Sequence, residues 1–315
     1  MHSEKQSFLS VRPSSVWHVH ALMVIASFLV STSFTVGKAI THGLDPATLT
    51  LFRFLLASLF FTPIVARRYG LRFPRFKALT GYAAISLAIT GFFWCMFASL
   101  RLTSALNTSA LFTLVPGIAG IYARLLLKEK LGQYRLAALL IGMIGATWVV
   151  FRGDLRRFLM LDANEGDFLF LFGCFLMAFY TPLVKKFHQR ESMAEMTLWI
   201  LITGSVWLLL FSARNFIGSG VTLIAPSVWF GIVYLAIFTT IITFFLTQYA
   251  TLRIGPTRVM AYSYLYPAFV LLINWGWGLE TPTTKTLPGI ITVLLAMLVV
   301  QQGASKDTSR SPAIG

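Results

Sequence analysis

Ten apolar stretches, each about as long as a bilayer is thick, constrain this chain more than any other feature. A helix rises 1.5 Å per residue, so about 20 apolar residues cross roughly 30 Å of hydrocarbon. Such runs fall at approximately 19–40, 46–66, 76–99, 103–126, 134–151, 167–184, 194–212, 226–249, 256–278 and 287–302, the fifth, sixth and tenth being the shortest. The alternating segments of about ten residues that build an outer-membrane barrel do not appear. An all-α integral membrane protein with ten transmembrane helices is therefore expected. Of the 315 residues, 57% are hydrophobic and 12% charged, against roughly 45–50% and about 25% in soluble domains. So few charges could not cover so much apolar surface in water, which excludes a soluble enzyme and a disordered chain.

The basic excess, 26 Lys and Arg against 11 Asp and Glu, lies in short tracts between apolar runs. That placement marks cytoplasmic loops and argues against nucleic acid as a partner. With a cytoplasmic N-terminus and ten crossings, 18 Lys and Arg fall on the cytoplasmic side and 6 on the other, Lys38 and Arg53 lying within spans. The asymmetry puts both termini in the cytoplasm, as tails 1–16 and 303–315. Asp45-Pro46 reads as an N-cap with proline in the first turn, and Ala225-Pro226 and Gly255-Pro256 open spans in the same way. Trp17, Trp148, Trp275 and Trp277 sit near expected interfaces. Cys95 and Cys174 lie inside apolar runs, as small core or lipid-facing residues rather than a metal site or disulfide framework. The first apolar run is too long for a signal h-region and lacks a small-residue cleavage site.

An internal repeat organises the chain. Phe92-Phe93 through Leu102 matches Phe244-Phe245 through Ile254 at an offset of 152. Leu114-Val115-Pro116-Gly117 matches Leu265-Tyr266-Pro267-Ala268 at 151, as do Glu129 with Glu280 and Leu136–Val149 with Leu287–Val300. Phe28-Leu29 and Lys38 match Phe175-Leu176 and Lys185 at 147. Two five-span repeats, 17–150 and 166–302, follow. Five being odd, the second copy enters from the opposite side, giving an inverted-topology repeat with the symmetry that alternating access uses.

The run Thr35-Val36-Gly37-Lys38-Ala39-Ile40, then Asp45-Pro46 and Leu51-Phe52-Arg53-Phe54, resembles the first helix pair of EamA-type drug/metabolite transporters. Ala105 through Pro116, followed by Leu125-Leu126-Leu127-Lys128-Glu129-Lys130-Leu131, resembles the same family, and the likeness extends over about 17 to 302. It implies a ten-helix bacterial inner-membrane carrier that exports amino acids or other small metabolites. It also implies a central cavity between helices 1, 3, 4, 6, 8 and 9, with 5 and 10 peripheral. The second repeat departs from the pattern: no arginine corresponds to Arg53, and Thr281-Pro282 replaces Lys130-Leu131.

All eleven acids fall in loops or at span ends, which disfavours proton coupling through an intramembrane carboxylate. The five histidines are peripheral and scattered, so neither an acid–base enzyme nor a metal site is expected. Lys38, near the outer end of its span, could snorkel past His42 to water. Arg53 lies seven residues, about 10 Å, into span two. The plain reading is an interfacial cation pair near Asp45; the sharper one is a basic patch at the outer mouth guiding an anionic group such as a substrate carboxylate. Pro116 and Pro267 fall near the midplane at matched positions and read as hinges beside a binding site. Cavity candidates are Ser31 and Ser33, Trp94, Asn107 and Thr113, Tyr180, Thr239, Thr243 and Gln248, and Tyr262, Ser263, Tyr264 and Tyr266. Asn107, Trp94 and the helix-nine tyrosines rank first, because bulky polar groups seldom face lipid without a partner. Gly142 and Ala146, a small-xxx-small pair, read as close helix packing.

Taken together, these features point to a secondary transporter of amino acids or related small metabolites, not an enzyme and with no cofactor, and the absence of an ATP-binding P-loop leaves gradients or equilibrative flow to drive it. The alternatives are an importer or exchanger of a larger, nucleotide-linked metabolite, and a membrane-embedded enzyme that would need a nucleophile–base set the spans lack.

Overall fold

The computed structural model describes residues 14–71, 73–128, 132–159, 163–188, 191–218, 224–254, 256–279 and 283–310, and among them every regular element is helical. In chain order they are α1 (Ser14–Ile40), α2 (Pro46–Arg68), α3 (Phe76–Leu102), α4 (Ala105–Phe112), α5 (Val115–Leu127), α6 (Gln133–Val150) and the short α7 (Leu155–Leu159). Then follow α8 (Glu165–Phe187), α9 (Met193–Gly218), α10 (Pro226–Ala236), a π-helical turn (Ile237–Ile242) and α11 (Thr243–Ile254). The last are α12 (Pro256–Ala261), a 3-10 turn (Tyr262–Leu265), α13 (Tyr266–Gly276) and α14 (Leu287–Arg310).

Seven of these stretches are long and apolar enough to cross a membrane: Trp17–Ile40, Pro46–Arg68, Phe76–Leu102, Ala105–Leu127, Glu165–Phe187, Met193–Ser212 and Pro226–Thr251. Apolar helices Leu136–Val150 and Leu287–Val300, at expected spans five and ten, are shorter, and span nine is broken into α12 and α13. The ten spans read from hydropathy, with the fifth, sixth and tenth shortest, thus become seven long apolar stretches that include the sixth, two short helices at the fifth and tenth, and one interrupted one. α14 also continues beyond 302 to Arg310. Residues 1–13, 129–131, 280–282 and 311–315, and with them the Glu129–Glu280 match, lie outside the described residues.

Local chemistry sets the helix ends. Asp45 Oδ2 accepts from the backbone N–H groups of Ala47 (3.1 Å) and Thr48 (3.3 Å), and Pro46 opens α2, where a missing N–H costs nothing. Pro226 opens α10 likewise. Large apolar side chains such as Leu59, Ile144, Leu210 and Phe230 are exposed around the bundle, as lipid contact requires and water would forbid. Trp17, Trp148, Trp275 and Trp277 are exposed too, while Cys95 and Cys174 are buried in the core as free thiols.

The packing has an internal order. α3 lies on α8, and α1 lies on α11; α5 meets α8, and α13 meets α1; α2 pairs with α9, α4 with α13, and α6 with α14. Each pairing of a first-half span with a second-half span is matched by its counterpart when the halves are exchanged. α6 and α14 approach most closely at Gly145 and Gly289, where a Cβ on Gly145 would stand 2.7 Å from the Gly289 carbonyl oxygen. Gly142 and Ala146 sit on this packing side of α6, Gly142 beneath the Tyr264 ring.

Candidate functional site

A cavity of about 440 Å³ opens where α1, α3, α4 and α8 end together. Lys38, Thr103, Asn107 and Asp167 line it, with Arg152, Arg157 and Asn164 at its rim. Gly166 allows the convergence: a Cβ there would lie 2.8 Å from Leu102 Cβ and 2.9 Å from the Ser99 carbonyl oxygen, so only glycine lets α8 lie this close to α3. One residue on, Asp167 is buried. Its carboxylate accepts from the Thr103 hydroxyl, from Asn107 Nδ2 (3.2 and 3.3 Å) and from the Asn164 backbone N–H (3.2 Å), the last completing a capping box at the start of α8. Lys38 Nζ donates to the carbonyl oxygens of Leu100 (2.7 Å) and Thr103 (3.0 Å), which are orphaned acceptors at the C-terminal end of α3. Thr103 therefore joins the lysine and the aspartate, its carbonyl facing one and its hydroxyl the other.

About one helical turn along the same helices lies a cluster of aromatic rings. Phe34, Phe112, Phe170 and Tyr266 meet edge-on or tilted, with contacting centroids 5.5–6.2 Å apart, and Phe92 joins them at 5.6 Å from Phe112. Phe34, Phe112 and Phe170 stand four, five and three residues from Lys38, Asn107 and Asp167, about 5–8 Å by helical rise. A polar layer thus covers an aromatic one.

At the offset of 147 the counterpart of Asp167 is His20. It also ties the start of its helix to the other half: His20 Nδ1 and the Tyr262 hydroxyl share a hydrogen bond, and Ser27 Oγ donates to the Tyr262 carbonyl at 3.2 Å. Both ties are made in this structure.

Both prolines stand at breaks. After α4 the chain turns at Thr113 and Leu114, whose N–H groups reach back three residues to Ala110 and Leu111, and Pro116 is the second residue of α5. In the second half the 3-10 turn precedes Pro267, second residue of α13, with the Tyr266 N–H donating to Ser263. Proline has no N–H for the preceding turn and crowds its carbonyl, so the chain tightens just before it.

The sequence candidates separate. Asn107 reaches the cavity and Tyr266 the aromatic layer. Lys38 lines the mouth, held by α3 rather than snorkelling past His42. Arg53 does not bond Lys38 among the described residues: 2% exposed, it is enclosed between α2, Phe93 of α3 and the π-helical turn, apart from the cavity that Lys38 lines. Trp94 is 43% exposed and faces outward, because its neighbours Cys95 and Met96 fill the inner side of α3. Tyr264 points the other way, into the cluster formed by α6 and α14 with Ala138, Val293 and Ala296, since the 3-10 turn rotates it off the inner face. Tyr180 packs with Tyr82, Ile85 and Met196 among α3, α8 and α9. Ser31, Ser33, Thr113 and Ser263 donate to their own helix backbones, as does Thr243 toward Thr239 (3.0 Å). Tyr262 belongs to the His20 tie, and the Gln248 side chain lies outside the described residues. Asp167 was the omission: its place at a span end concealed its burial, and Asn164 followed by Asp167 at capping-box spacing was the available signal.

A multi-pass helical membrane protein whose two halves pack as counterparts around broken helices belongs to the carrier class. The particular assignment is direct: the EamA-like transporter family matches residues 18–151 and 164–301, and the chain belongs to it. Among relatives, the uncharacterized transporter YyaM of Bacillus subtilis (strain 168) is 21% identical, covering 88% of this chain and 92% of its own. An uncharacterized transporter of Archaeoglobus fulgidus is 26% identical over 87% and 94%, and YdfC of B. subtilis, another uncharacterized transporter, 26% over 87% and 87%. A crystal structure 16% identical shares the fold with a TM-score of 0.65, over 95% of this chain and 99% of that one.

Proposed function

We propose that this chain is a secondary transporter of the bacterial inner membrane that exports amino acids or related small metabolites by alternating access. In this reading ten crossings form two inverted-topology repeats around a central path, with both termini cytoplasmic. The observation that carries it is the pair of broken helices, interrupted just before Pro116 and Pro267 at matched positions of the two halves. A break at one turn gives each half a point about which its outer part can swing while the inner part stays packed. The Asp167 and His20 ties then act as two latches, one at each face, and the aromatic layer parts when the Asp167 latch opens. The cavity of about 440 Å³ is at the small end of the range for metabolite pockets, which fits an amino-acid-sized substrate.

Counterflow in proteoliposomes tests it. Vesicles preloaded with one member of a panel of small metabolites accumulate the same labelled compound, and empty vesicles do not. If no amino acid or similarly small metabolite shows counterflow, the reading fails. A second reading, an importer or exchanger of a larger anionic metabolite, is favoured by one observation: Lys38, Arg152 and Arg157 line the cavity alongside Asp167, the acid among its described lining residues, and basic lining draws anions. Nucleotide-linked compounds in the same panel separate the two.

A further inference from the structure

Arg53 is the buried group that the latches and hinges leave unexplained. Its Nε donates to Thr240 Oγ1 and its Nη2 to Thr239 Oγ1, both at 3.1 Å. The two threonine hydroxyls in turn donate to one carbonyl, Leu235, at 2.9 Å each, so their lone pairs are left facing the arginine. That arrangement depends on the π-helical turn. Thr239 reaches back four residues and Thr240 five, the wider register bringing consecutive hydroxyls to one side where an α-helix would place them about 100° apart. Phe93 covers the guanidinium with its centroid 4.3 Å from Cζ. Among the described residues Nη1 has no hydrogen-bond partner, and no carboxylate stands among the partners of this side chain.

Arginine keeps its charge, and a buried charge without a counter-ion is costly to hold. A side chain packed, oriented by two hydroxyls and left with one free guanidinium nitrogen lacks only its anion. We infer that Arg53 receives the carboxylate of the transported molecule, so that the substrate class is small organic acids and amino acids bound through their carboxyl group. The inference rests on the transporter reading for its purpose, but the binding itself does not depend on it. Access is built in: Phe93 touches Phe92 at 5.0 Å, and Phe92 belongs to the aromatic layer, so parting that layer loosens the cover over Arg53.

Acetate is the probe. The purified full chain in detergent is heated with increasing acetate, with its neutral isostere acetamide, and with methylammonium, at constant ionic strength. Acetate raises the unfolding midpoint saturably, and the other two do not. Arg53→Gln abolishes the acetate effect, and Arg53→Lys, which keeps the charge without the planar fork, weakens it roughly tenfold. Equal effects of acetate and acetamide, or full acetate protection in Arg53→Gln, overturn the inference. If Arg53→Gln does not fold, Thr240→Val decides: it keeps the cation, loses one orienting hydroxyl and weakens acetate several-fold, and unchanged protection there overturns the inference as well. Acetate binding with no counterflow of any metabolite would remove the transport reading and leave the site. Counterflow without acetate binding would do the reverse.

Discussion

If Asp167 and His20 are latches at opposite faces, breaking each must move the access equilibrium in opposite directions, and the structure sets the sizes. Asp167→Ala removes the acceptor for three donors. The one from the Asn164 N–H lies within the cap of α8 and is unaffected by opening. The other two, from Thr103 and Asn107, cross from α8 to α3 and α4. Taking about 1.5 kcal/mol for each bond to a charged acceptor gives about 3 kcal/mol favouring the closed mouth, or roughly a hundredfold in the closed-to-open ratio. The His20–Tyr262 bond joins neutral groups, contributes about 1 kcal/mol, and so its loss shifts the ratio roughly fivefold. The reporter is Thr113→Cys, buried just beneath Phe112, in a background with Cys95 and Cys174 replaced by alanine. An impermeant maleimide added from the Asp167 face labels it only when that mouth opens. Asp167→Ala should accelerate labelling by up to about a hundredfold, and His20→Ala should slow it several-fold. Acceleration in both variants, or in neither, would refute the latch argument.

Three further outcomes are expected. Pro116→Ala and Pro267→Ala each restore an N–H at the break where the proline opens the following helix, allowing the two pieces to join as one stiffer helix; both proteins should express, exchange more slowly, and bias thiol labelling toward opposite faces. Reporter fusions at the C-terminus and in the 152–165 connector should lie on opposite sides of the membrane, and agreement between them would mean the crossing number is wrong. Gly145→Leu drives a side chain into the Gly289 carbonyl and the Val293 backbone nitrogen, 2.7 and 2.9 Å from the added Cβ, and should cost about 1–3 kcal/mol or more by overpacking, visible as a lower unfolding midpoint.

The seven long apolar stretches, the proline openings of α2 and α10 and the breaks before Pro116 and Pro267 were legible in the sequence. Hydropathy and proline act along the chain, and their consequences stay local. Burial and facing do not. Asp167 reads as a span-end acid until Gly166 brings α8 against α3, and that approach is a tertiary fact. Arg53 could be placed in depth by counting residues, but the threonines that hold it sit in a π register that no residue of Ile237–Ile242 announces. Trp94 and Tyr264 both carry a polar atom on a bulky ring, the feature that marks a cavity residue in sequence. Their directions depend on which side of α3 packs inward and on how far a 3-10 turn rotates the chain, and neither can be read from residue type.

The relation between the halves also separates what moves from what binds. The hinges have counterparts, Pro116 and Pro267, and so do the latches, with His20 standing opposite Asp167. If the transport reading holds, moving parts retain the duplication because each must serve one face. Arg53 does not: at the offset of 147 its counterpart is Ile200, buried in α9. A single substrate passing through a two-fold framework meets one set of ligands whichever face is open, so only one half has to supply the charge. A second arginine at that position would lie in the same bundle and add another buried cation needing its own anion. The departure from symmetry at Arg53 is therefore where a binding group is expected, and the prediction is direct. Ile200→Arg should lower stability, and it should not rescue acetate binding in the Arg53→Gln protein; rescue would mean the two positions are equivalent and the site is not set by the π-helical turn.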